Sequence, residues 1–171
     1  MPLPPYFAYG SNMASSQMAD RCPGAVSLGI ARLPGYRLAF DAWSNRRGGL
    51  VADVVPATGS DVWGVLWQVT EEHAEALDRY EGVARGQYRR ENVQVESADG
   101  QTIEAFAYVI CNPGDDGPTT DAYRDLLLEG AREHGLPPDW VKAVEAVPTL
   151  PPPPRRRGIK KPGPRPRRVK G

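Results

Sequence analysis

The sequence predicts an α+β domain: a small mixed, mostly antiparallel, barrel-like sheet with helices inserted between its strands. Three observations lead there. Short runs rich in Val, Leu, Tyr and Trp recur between turn dipeptides. Amphipathic stretches with recognisable caps interrupt them. The length of 171 residues with 40% apolar content suits one core without calling for a second, so residues 1–150 are expected to form a single folded domain.

Tyr6-Phe7-Ala8-Tyr9 is an aromatic run that stops at Gly10, as a strand running into a turn would. Ala14 to Ala19 suits a turn or two of helix. Val26 to Leu33 and Tyr36 to Phe40 read as strands divided by Pro34-Gly35. Leu50 to Val55 and Val62 to Val69 read as a hairpin turning at Thr58-Gly59-Ser60. Thr70 is an N-cap, with Glu71 and Glu72 in the first turn where the helix dipole favours acids. That helix should run to about Tyr80, turn Ala74, Leu77 and Tyr80 inward, and end at Gly82. Tyr88 to Val95 and Ile103 to Ile110 pair across Ala98-Asp99-Gly100, an Asp-Gly hairpin signal. After the turn-rich stretch Asn112 to Pro118, Thr119 or Thr120 caps a helix through Leu126, Leu127, Gly130 and Ala131, which Gly135-Leu136-Pro137 stops. A shorter helix follows from about Pro138 to Ala146. About six strands are expected in all.

The formal net charge of zero hides a division. Residues 151–171 hold nine Lys/Arg, seven prolines and no acid, which leaves 12 of the 21 basic residues against 21 acidic ones in the body. The body is therefore about −9 and the tail +9 by formal count. Such a tail cannot bury enough apolar surface to offset its ordering entropy and is expected to be disordered. It could bind RNA, DNA or another polyanion through counterion release, or serve as a solubilising extension of an acidic body.

Composition also excludes chemistry. No apolar run is long enough to span a membrane, and Met1-Pro2-Leu3-Pro4-Pro5 lacks the pattern of an export signal, so a cytoplasmic protein is expected. Cys22 and Cys111 fit no C-x-x-C or metal-ligand spacing and read as two free buried thiols; His73 and His134 stand alone. Neither a metal site nor a cofactor is expected. There is no Gly-x-Ser-x-Gly elbow, no Ser-His-Asp or Cys-His set, no phosphate loop and no dinucleotide fingerprint.

Two features remain. Tyr9-Gly10-Ser11-Asn12 lies between a strand and a short helix, where glycine permits close backbone approach and exposed N–H groups suit a carboxylate; the same tetrapeptide is also an ordinary turn with a helix cap. Glu81 falls at a helix C-terminus, where the dipole disfavours an anion by up to about 1 kcal/mol. It reads either as a solvated acid paired with Arg79 or Arg85, or as a functional group.

Taken with Leu77-Asp78-Arg79-Tyr80-Glu81-Gly82-Val83, the Tyr9 to Asn12 loop resembles the gamma-glutamylcyclotransferase family. The similarity continues through Ala31-Arg32-Leu33, Gly48-Gly49, Val62-Trp63-Gly64-Val65-Leu66-Trp67, Gly86-Gln87-Tyr88 and the stretch Gly130 to Pro137, spanning about residues 5 to 147 in one order. The resemblance implies a mixed fold around a small barrel and release of 5-oxoproline from a gamma-glutamyl amino acid or amine, with no cofactor. It assigns Glu81 as the general acid/base, Tyr9, Gly10, Ser11 and Asn12 as the substrate-cradling loop, and Tyr88 and Tyr123 as pocket tyrosines. It also carries a homodimer, since the family contains dimers. Glutathione-specific relatives resemble a Tyr-Gly-Ser-Leu pattern at this loop, and gamma-glutamylamine cyclotransferases a Tyr-Gly-Thr-Leu one. Asn12 fits the branch acting on gamma-glutamyl amino acids. Other readings of the same scaffold are a non-catalytic binding module and an enzyme that removes a gamma-glutamyl group from a specialised amine.

Overall fold

A computed structural model describes residues 3–152. The disordered and polyanion-binding readings of the tail, 151–171, fall outside the described residues except at Pro151 and Pro152. The order of elements is β1 (Tyr6–Ala8), a 3-10 turn (Ser11–Met13), α1 (Ser15–Arg21), β2 (Val26–Ser44), β3 (Gly49–Gln68), α2 (Glu71–Tyr80), a second 3-10 turn (Val83–Arg85), β4 (Tyr88–Ser97), β5 (Thr102–Ile110), α3 (Asp121–Glu133) and α4 (Pro138–Glu145). The strands close into a barrel in the order β1-β3-β2-β4-β5, with every pairing antiparallel except that of β1 with β5. The α+β, barrel-like expectation holds.

There are five strands among the described residues rather than about six, because neither Pro34-Gly35 nor Thr58-Gly59-Ser60 breaks its strand. The two segments face each other in the register: Pro34 pairs with Asp61, and the next pair is Tyr36 with Pro56. Gly35 and Gly59 take φ of 80° and 82°, so the irregularity bends both strands together while pairing resumes beyond it. The true hairpin turn lies between Ser44 and Gly49, which pair with each other. Two strands of 19 and 20 residues result, long enough to carry the tip of the hairpin to the site.

Local chemistry explains the remaining boundaries. Thr70 and His73 form a reciprocal capping box, the Thr70 hydroxyl accepting from His73 N–H and His73 Nδ1 accepting from Thr70 N–H. Gly82 ends α2 with φ 66°. Ala74 and Leu77 are buried as expected, but Tyr80 is 45% exposed and its ring carries the Arg21 guanidinium 4.5 Å from its centroid. Thr120 caps α3 by accepting from Tyr123 N–H. Phe7, Leu33, Leu66, Leu77, Leu127 and Val95 are fully buried in one continuous core. Cys22 is buried and Cys111 only half-buried, and both are free thiols. No helix among the described residues is long and apolar enough to cross a membrane.

The barrel wall also contains two buried acids. Asp53 Oδ1 accepts from the N–H groups of Val54 and Ile110, while Asp53 Oδ2 and Asp41 Oδ1 have no protein donor. The two carboxyl groups titrate against each other, and a proton retained on one of them would supply the missing donor. With two backbone donors on Asp53, that proton belongs to Asp41. Burial, then the neighbouring Asp53 charge, pushes Asp41 up to about 7. The unfolded carboxyl ionises near pH 3.9, so the folded protein binds the extra proton between these values, and this contribution to stability is lost as pH rises through about 7. Asp41→Asn keeps a donor toward Asp53 and cannot ionise. Its melting temperature should exceed that of the unmodified protein by several degrees at pH 8, with the gap closing toward pH 5; parallel Tm–pH curves would refute the retained proton.

Candidate active site

The loop after β1 is pressed into place from behind by α3. A Cβ on Gly130 would lie 2.6 Å from Met13 and from the Ala14 nitrogen, so only glycine lets that helix touch the loop backbone. Glu133 adds a 2.7 Å contact, accepting from Ser15 N–H. Gly10 is confined less severely: a Cβ there would stand 3.2 Å from the Tyr123 hydroxyl and 3.5 Å from the Ala52 methyl. The backbone N–H groups of Gly10, Ser11 and Asn12 meet no acceptor among the described residues. Three adjacent unsatisfied donors form a concavity suited to an anion.

Asn12 is the hub. It is 3% exposed, and its Nδ2 donates to the Tyr6 hydroxyl at 3.0 Å and to Glu81 Oε1 at 3.2 Å. Its Oδ1 accepts from Gln17 at 2.7 Å and from Arg21 at 3.1 Å. All four hydrogen-bonding positions of the amide are used, which fixes its orientation and ties β1, α1 and the end of α2 together.

Glu81 sits at the C-cap of α2, with its side chain 16% exposed and Arg21 Nη1 3.6 Å from its Oε1. Its partner is thus Arg21 rather than Arg79 or Arg85. Burial raises the Glu81 carboxyl above its ordinary value, while Arg21, the Asn12 hydrogen bond, Arg46 and Arg47 pull it back. The net direction is upward, so desolvation outweighs the guanidinium charges.

The expected residues converge on one recess, lined by Tyr9, Gly10, Ser11, Asn12, Glu81, Tyr88 and Tyr123, together with Tyr6, Ala52 and Tyr108. Their roles in the recess differ. Tyr9 donates to the Tyr108 carbonyl and Tyr88 to the Ala52 carbonyl, so both hydroxyl protons hold the wall. Tyr123 accepts from Ala52 N–H at 3.1 Å, and its own O–H meets no acceptor among the described residues. Burial pushes that hydroxyl up to about 12, which keeps it a neutral donor at physiological pH. Tyr6, Gln17, Arg21 and Tyr108 were not foreseen. Gln17 and Arg21 lie one helical turn apart on α1 and reach the same Asn12 oxygen, so an i, i+4 pairing behind the loop was the available signal.

The recess opens into an outer cleft of about 620 Å³ that shares Ser11, Glu81, Tyr88 and Tyr123 with it. No histidine or cysteine lines either part. Such a site can exchange protons through one carboxylate and bind an anion at the loop. Fold and site together define a barrel protein whose recess holds a single carboxylate.

Comparison with known proteins narrows this class. A family model described as the AIG2-like family matches residues 61–144. The chain is 32% identical over 146 residues to a gamma-glutamylcyclotransferase of Mus musculus and 31% identical to that of Homo sapiens, covering 83% of this chain and 77% of each relative. A solved structure of a gamma-glutamyl cyclotransferase superposes with a TM-score of 0.82 at 30% identity, over 85% of this chain and 88% of that one. The chain belongs to the gamma-glutamylcyclotransferase family.

Removing the hub should be felt in both stability and titration. Asn12→Ala removes a donor from Tyr6 and Glu81 and an acceptor from Gln17 and Arg21, which keep Ser11, Arg47 and Glu81 as partners, and should cost about 1–3 kcal/mol in chemical denaturation. Glu81 also loses a donor to its ionised form, so the acid limb of the pH–activity profile should move upward; an unmoved limb would argue against Asn12 as a tuning residue.

Proposed function

We propose that this chain is a gamma-glutamylcyclotransferase, in which a γ-glutamyl compound cyclises to 5-oxoproline and expels a free amine or amino acid. The observation that carries this reading is Glu81, a single carboxylate held at the wall of the recess by Asn12 and Arg21 and raised by burial. The relatives of that name, matched over 77% of their length, support it.

The loop N–H groups of Gly10, Ser11 and Asn12 receive the α-carboxylate of the γ-glutamyl group. Glu81 takes a proton from the α-ammonium, and the freed lone pair forms a bond to the γ-carbonyl carbon. The carbonyl oxygen becomes an oxyanion, met by the Tyr123 hydroxyl. Collapse breaks the bond to the leaving nitrogen, which recovers the proton from Glu81, and the ring nitrogen passes its remaining extra proton through Glu81 to the departing amine, so that 5-oxoproline leaves with one N–H and the amine as an ammonium. One C–N bond forms and one breaks, so no cofactor or co-reactant is consumed. Because attack is intramolecular, orientation supplies most of the assistance, with effective molarities of about 10⁵ M or more; this accounts for a pocket without a protein nucleophile. The raised Glu81 pKa narrows the gap between a carboxyl near 4.3 and an α-amine near 8. Residues 1–150 form the catalytic unit in this reading, and the reaction takes place in the cytoplasm.

Glu81→Gln should lower 5-oxoproline release from γ-glutamyl-alanine by about 10²–10⁴-fold while the dissociation constant, measured by calorimetry, stays close to that of the unmodified protein. Near-normal turnover in this variant would sink the assignment.

A further inference from the structure

The outer cleft carries four guanidinium groups, those of Arg21, Arg46, Arg47 and Arg85, against one carboxylate, Glu81. They surround it from both sides along the chain. Arg21 and Arg46 lie over the ring of Tyr80, at 4.5 and 5.9 Å from its centroid. Arg85 folds back so that its Nη2 is 3.0 Å from where a Cβ on Gly82 would stand. Arg47 donates to Gln17 Oε1 at 2.7 Å and rests 5.4 Å from the Tyr123 ring centroid.

This clustering is unlike the rest of the surface. Outside the cleft, Arg32, Arg37, Arg89, Arg90, Arg124 and Arg132 each pair with an acid, and Arg79 alone does not among the described residues. In the cleft, only Arg21 has a carboxylate partner among the described residues. Arg46, Arg47 and Arg85 have none, although the body to residue 150 holds 21 acids against 12 bases. Arg46 and Arg85 are exposed to solvent, while the partly buried Arg47 is depressed by burial first and then by Arg21 and Arg46. A bound anion offsets that depression.

We infer that the outer cleft is a leaving-group subsite in which Arg46 and Arg85 select γ-glutamyl compounds whose expelled residue is an acidic amino acid. The inference rests on the cyclotransferase reading: the recess holds about 40 Å³, too little for a whole γ-glutamyl group, so that group lies at its mouth against the Gly10 to Asn12 loop and Glu81, and the leaving amine faces the arginines of the outer cleft. Arg47, beside Ser11 at 3.5 Å, belongs to the γ-glutamyl end. Arg46 and Arg85 remain for two anionic groups, which are the α-carboxylate and the side-chain carboxylate of a departing glutamate or aspartate. The planar guanidinium fork matches a carboxylate in two parallel hydrogen bonds.

The test compares γ-glutamyl-glutamate, γ-glutamyl-alanine and γ-glutamyl-lysine on the full chain. kcat/KM should fall in that order, with the acidic substrate preferred over alanine by about tenfold and the preference shrinking as salt is raised. In the Arg46→Gln, Arg85→Gln double variant the preference should collapse toward unity. Equal turnover of the acidic and neutral substrates, or a preference that survives in the double variant, would overturn the subsite. Calorimetry with Glu81→Gln separates this from the chemistry. Tighter binding of γ-glutamyl-glutamate without 5-oxoproline from any substrate in the unmodified protein defeats the cyclotransferase reading and keeps the subsite. Equal binding of the three compounds defeats the subsite.

Discussion

Placing one carboxylate at the wall of a buried recess is the constraint on which the site depends. An isolated buried carboxylate is costly unless it is paired and hydrogen-bonded, and Glu81 receives both from a single junction, Asn12 with Arg21. The junction draws on segments far apart in sequence, Asn12 and Glu81 being 69 positions apart. A closed barrel brings those segments together, and α3, packing through Gly130, holds the loop against them. Loosening any of these would leave a charge unpaired in a poorly solvated place, so packing and chemistry are enforced by the same contacts.

The electrostatics of the pocket are a compromise between opposing effects. Full pairing would lower Glu81 and make it a weak base; burial alone would leave it protonated and unable to accept. Arg21 at 3.6 Å is close enough to stabilise the ionised form but is shared with Asn12 Oδ1 and the Tyr80 ring. The surrounding tyrosines stay neutral because burial raises them. They contribute dipoles without adding charge, which leaves Glu81 as the group whose proton can move within the recess.

Local signals in the sequence were legible wherever structure is local. The caps at Thr70 and Thr120, the stop at Gly82 and the hairpin at Asp99-Gly100 all follow from residues within a few positions. Pro34-Gly35 and Thr58-Gly59-Ser60 misled because each is a sound turn signal in isolation. Whether a strand breaks there is decided by the strand lying opposite, and that partner is a tertiary fact. Tyr80 misled for a related reason: helical period points it inward, but a guanidinium covers its ring in place of the core. At the site, the loop and Glu81 stood out by position and family resemblance. Arg21 was hidden, since a basic residue in the last turn of a helix is ordinary and its partner lies in a different element.

The long β2–β3 hairpin has a consequence for how this scaffold can diverge. Its tip, Asn45 to Gly48, lies beyond the last paired residues, Ser44 and Gly49, yet carries two arginines into the cleft. Replacements of Asn45 or Arg46 there disturb no ladder hydrogen bond and no core side chain, whereas Arg47 is bonded to Gln17 behind the hub and the carboxylate with its hub is locked into the barrel. Variation at Arg46 can thus change the charge of the outer cleft while the contacts that hold Glu81 and Asn12 in the recess are passed on intact.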